Sequence, residues 1–109
     1  MENIIKQGLA NLWKGKEGVG GKLYLTDQQL IHQPHKANIQ SDRVEIKLAD
    51  VDYVELYTNK LFGLSVIKNG LTVVDKTGTP YKFVVNKRED WKNEIERQLE
   101  TNKADAISN

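Results

Sequence analysis

Charged and apolar residues alternate one for one through Arg43-Val44-Glu45-Ile46-Lys47-Leu48. Successive side chains of an extended chain point to opposite faces, so Val44, Ile46 and Leu48 fall on one side and three charges on the other. The same period recurs in Leu23 with Leu25, Val54 with Leu56, Leu71 with Val73, and Tyr81 and Phe83 with Val85, covering about residues 9–85. Such a pattern builds half-buried strands, one face on a core and the other in water. Turn chemistry divides the runs. Asn69-Gly70, where both residues accept positive φ, predicts a tight hairpin between residues 64–67 and 71–75. Lys76-Thr77-Gly78-Thr79 predicts a turn before Pro80, and Thr26-Asp27-Gln28-Gln29 another. Gly15, Gly18, Gly20 and Gly21 predict a mobile first loop. Seven or eight strands are expected, residues 64–67 deciding the count.

The period changes after Asn86. Asn86 with Glu89 three residues on has the form of a capping box, and Trp91, Ile95 and Leu99 make one apolar stripe over about residues 87–100. A stripe this narrow suits a helix laid on the apolar end of a sheet. Residues 101–109 contain one large apolar side chain, Ile107, and are expected to be a flexible tail. Residues 1–8 are expected to lead into a domain over 9–100. With no helix between strands the sheet should be antiparallel, which makes the chain an α+β or mostly-β roll with a helical cap.

Composition narrows the chemistry. A chain of 109 residues can bury one core without staples, and with no cysteine it forms no disulfide, thiol nucleophile or thiolate metal site. Its net charge of +1 argues against gripping nucleic acid by bulk charge. No apolar run approaches the ~20 residues of a membrane span and the start lacks a long apolar segment, so a cytoplasmic location is expected.

Catalytic chemistry has little to work with. The two histidines, His32 and His35, have no nucleophile-elbow sequence beside them, and no enzyme activity or cofactor is expected. His32-Gln33-Pro34-His35 could share an ion, but an extended chain turns residues three apart to opposite faces, which favours structural or surface histidines over a metal site. The glycine-rich run 15–22 lacks the lysine-then-hydroxyl ending of a phosphate loop and enters a strand. Lys14, Lys16, Lys22 and Lys36 could still converge on a phosphorylated headgroup, against the plainer reading of solubilising lysines. If Val54 and Leu56 face inward, Tyr53, Glu55 and Tyr57 share the other face, where two tyrosines could anchor a partner, stack a base or pack under a neighbouring strand. Trp13 is turned away from Leu12 in the same way.

Residues 21–31, Gly-Lys-Leu-Tyr-Leu-Thr-Asp-Gln-Gln-Leu-Ile, resemble the opening strands of GRAM domains, with Gln29 and His32 where that opening has Arg and Phe. Val44-Glu45-Ile46-Lys47-Leu48-Ala49-Asp50-Val51 is similar to the segment that follows, Asn69 to Val73 and Tyr81 to Val85 resemble the later strands, and Trp91 matches a tryptophan of the closing helix. The resemblance covers about residues 10–100 and is to the small stand-alone bacterial type. It implies a PH-like barrel: two nearly orthogonal antiparallel sheets of about seven strands, capped by a C-terminal helix plugged by Trp91, Ile95 and Leu99. It also implies a binding module. Three readings follow: protein recognition or self-association through Tyr53 and Tyr57; peripheral binding of anionic lipid headgroups by Lys14, Lys16, Lys22 and Lys36; and, from another fold, an OB-like binder of single strands stacking bases on Tyr24, Tyr53 and Tyr57.

Overall fold

The computed structural model describes residues 2–36, 42–61 and 64–108, and the side chains of all these except 59–61, 64–68 and 106–108. The strands are β1 (Ile4–Lys14), β2 (Glu17–Thr26), β3 (Gln29–Pro34), β4 (Val44–Lys47), β5 (Val51–Leu61), β6 (Leu64–Asp75) and β7 (Pro80–Val85), followed by helix α1 (Arg88–Ser108). Every pairing is antiparallel, in the order β4-β3-β2-β1-β7-β6-β5. The two expected sheets form one continuous ladder that meets at β1, which pairs with β2 from Ile4 to Lys14 but with β7 only from Ala10 to Leu12. β4 and β5 end the sheet.

Alternation places the core as expected. Leu23, Leu25, Leu30, Ile46, Leu71, Val73, Phe83 and Val85 are buried on one face, and Trp91 and Ile95 of α1 close over them with Leu99 partly buried beside. Lys47 leads into a single 3-10 turn, Leu48–Asp50, that sends Leu48 into the same core. Asp75 shapes the β6–β7 turn: its carboxylate accepts from the Thr77 amide and hydroxyl and from the Thr79 amide, while Gly78 takes φ +89°.

Several expectations need correction. Asn69-Gly70 is not a turn; β6 continues through it with a register shift against β5, and the β5–β6 reversal lies between the paired Leu61 and Leu64. Gly70 is required for a different reason, since a Cβ there would come within 2.5 Å of the Tyr57 carbonyl oxygen and 2.6 Å of its ring. Residues 64–67 and 71–75 are therefore one strand, and the count is seven. The first loop shrinks to Gly15-Lys16, with Gly15 at φ +63°, because Gly18, Gly20 and Gly21 belong to β2. β1 begins at Ile4, inside the segment expected as a lead-in, because those residues pair with β2 as far as Thr26.

The helix also differs. Lys87 enters it at φ +54°, its carbonyl accepting from the Trp91 amide, and no Asn86 capping box forms. Residues 101–108 continue the helix rather than fraying, because Asn102 donates to the Asp27 carbonyl at 3.3 Å and ties that end to the β2–β3 turn. The side chain of Ile107 lies outside the described residues.

Candidate binding surfaces

The register separates the lysines that the sequence groups. Lys14 lies on the side of β1 that buries Ala10 and Leu12, and its ammonium donates to the Asp42 carbonyl at 3.2 Å. Lys22 stands opposite Leu9 and Gln33, on the other face of the sheet. Lys16 occupies the β1–β2 turn and Lys36 follows β3. All four are exposed, but Lys14 and Lys22 cannot close on one small headgroup from opposite faces of the same ribbon.

The histidines divide in the same manner. His32 is 1% exposed, with Nε2 3.0 Å from the Ala10 carbonyl and Nδ1 buried without a partner. Only a donor can bond a carbonyl, so Nε2 carries a proton. Burial holds its pKa below the ordinary 6.5, reinforced by Lys14 and His35 and opposed by the Ala10 bond. His35 lies exposed beside Gly20. Among the described residues no three His, Asp or Glu side chains are grouped to hold a metal ion.

The two tyrosines share the face expected for them, but not one role. Tyr53 is 46% exposed and borders a cleft of about 290 Å³ between β5 and α1, with Glu96, Leu99 and Lys103 on the helix side. Tyr57 instead lies across Gly70, donates its hydroxyl to the Phe83 carbonyl at 3.2 Å, and has the Lys82 ammonium 5.7 Å from its ring centre. Burial raises its phenol pKa, with the Trp13 indole acting in the opposite sense. Tyr57 is thus a strut across β5, β6 and β7 and not the free anchor expected of it. The indole Nε1 of Trp13 is itself buried beside Tyr57, so the ring is packed onto the sheet.

Two features escaped the sequence reading. Arg88 donates to the Tyr57 carbonyl at 2.7 Å and the Gly70 carbonyl at 3.4 Å, clipping the start of α1 to the β5–β6 ladder where its register shifts. A solvated arginine on a polar helix face has the same sequence signature, so nothing local marks it. Leu9 is 63% exposed, and here a signal existed: the alternation that buries Ala10 and Leu12 turns Leu9 outward.

No family model matches this chain, and no curated protein sequence does. Solved structures do. The C-terminal domain of an unknown protein from Leishmania infantum superposes with a TM-score of 0.74 at 14% identity, over 90% of this chain and 84% of that one. The Vps36 N-terminal PH domain superposes at 0.70 with 20% identity, over 94% and 83%. The Slm1 PH domain, solved in complex with phosphoserine, gives 0.66 at 16% identity, over 89% and 96%. Seven antiparallel strands closed by a C-terminal helix, superposing on these domains, make this a PH-like fold. No described helix is long and apolar enough to cross a membrane.

Proposed function

We propose that the chain is a non-enzymatic protein-recognition module of the GRAM type, working in the cytoplasm, and that it self-associates through the open edge of β5. The observation that carries this reading is the position of β5: it ends the sheet, pairs among the described residues only with β6, and presents Tyr53 beside its free edge. An edge strand offers unpaired backbone donors and acceptors that a second chain can complete, and an exposed aromatic next to it supplies apolar contact at low entropic cost. The other edge, β4, is four residues long with Glu45 and Lys47 exposed, the short charged form that discourages pairing. PH-like domains are commonly binding modules for lipids or proteins. Headgroup binding is the alternative, and the division of Lys14 from Lys22 between two faces weighs against it.

Sedimentation velocity over a range of protein concentrations tests this. A mass that rises with concentration, and falls back when Tyr53→Lys places a charge beside the edge, is the expected result. A strict monomer at the highest concentration overturns self-association. Salt-sensitive sedimentation with anionic vesicles that Lys14→Glu plus Lys16→Glu removes would favour headgroup binding instead.

A further inference from the structure

A shallow groove of about 270 Å³ crosses the outer face of β1, from His35 after β3 to Asn69 on β6. Its middle follows one cross-strand row, with Gly20 opposite Asn11 and Asn11 opposite Val84, and the row continues to Gly70 on β6. Gly20 forms the floor: a Cβ there would be 3.3 Å from the Asn11 amide oxygen and 3.7 Å from the His35 ring. Asn11, Asn69 and Asn86 are among the residues lining the groove, all exposed, with carboxamides free of hydrogen bonds among the described residues.

Two lysines flank the groove, with Glu55 at the far end of the row that holds Lys82. Among the described residues no Asp or Glu lines the groove. Lys22 flanks it opposite Leu9, and Lys82 lies two residues from Val84 on the same face, its ammonium leaning toward Tyr57 in the groove's own row. A carboxamide offers a donor and an acceptor together, which matches a peptide backbone. Five strands at ~4.8 Å spacing span about 19 Å, the length of roughly six extended residues. We infer that this groove binds an extended acidic segment of another protein, with Lys22 and Lys82 meeting its carboxylates, the three asparagines its backbone, and Leu9 an apolar side chain. This rests on the reading of the chain as a protein-recognition module but uses a surface separate from the β5 edge. A single-stranded nucleic acid fits less well, because the nearby rings are committed: Tyr57 is bonded to Phe83 and Trp13 is packed with its indole nitrogen buried.

Fluorescence anisotropy with a labelled hexapeptide of alternating Glu and Leu tests the proposal, with a Lys–Leu hexapeptide and an oligothymidylate as competing probes. The Glu–Leu peptide should bind best and weaken with salt. Gly20→Val, which fills the floor at a strand position whose φ is not positive, and Lys22→Glu, at an exposed site, should each weaken it about tenfold or more. Thermal melts identify any loss due to unfolding, and Lys22→Glu then stands as the deciding variant. Tyr53→Lys should leave the curve unchanged. Absence of binding at low salt, a preference for either competing probe, or full binding by folded Gly20→Val and Lys22→Glu would overturn the groove assignment, and a dimer persisting in sedimentation would leave the β5 reading intact.

Discussion

His32 is the buried polar group through which pH acts most directly on this fold. Its folded pKa lies below the unfolded value, so between the two the unfolded chain holds the extra proton and stability rises with pH. The contribution is complete above about pH 6.5 and is lost as pH falls through the lowered folded value. Asp75 behaves alike in a lower window, because its Thr77 hydroxyl bond holds the carboxyl below the usual carboxylate range. Melting temperature should therefore drop from about pH 7.5 to about pH 5, and His32→Gln, which keeps a donor for Ala10, should flatten that slope; an unchanged slope would assign the effect elsewhere. The burial of His32 was half legible, since alternation puts it on the face of Leu30. Its carbonyl partner on β1 was not, because that contact needs a register across β2. Gly70 shows the same limit: a glycine marks a turn or a close approach, and only the partner strand decides which.

Elements were most legible where a stripe meets a core. Trp91 and Ile95 of α1 are 3% and 0% exposed, and the Lys6 ammonium sits 5.2 Å from the Trp91 ring centre, so one end of β1 is fastened over the helix. Trp91→Ala should cost about 3–5 kcal/mol in urea unfolding, and a loss under ~1 kcal/mol would mean that the helix does not close the barrel. The far end of α1 was illegible by the same criterion. After Leu99 no apolar stripe remains, and among the described residues the Asn102 amide reaches a backbone carbonyl 75 positions away. Strands show the converse error. The alternation predicts seven or eight of them but breaks β6 at Asn69-Gly70, because turn propensity is local whereas β5 pairs with β6 on both sides of that point, with a register shift where the ladder passes it.

At the scale of the whole molecule, alternation says which face a residue occupies and nothing about which strand lies beside it. The lysines illustrate the consequence. Residues 1–47 carry seven basic against five acidic residues, a local excess that suggested one patch. The ladder instead sends Lys14 toward the core side and Lys22 to the outer face, where it borders a groove that no linear motif announces. Strand order also decides which edges are open: β4 is short and charged, while β5 is long and flanked by Tyr53. Hydrogen–deuterium exchange at low and high protein concentration tests the β5 edge most directly. Self-pairing there predicts that backbone amides of β5 gain protection as concentration rises while those of β4 do not, and β5 exchange that is independent of concentration would contradict it.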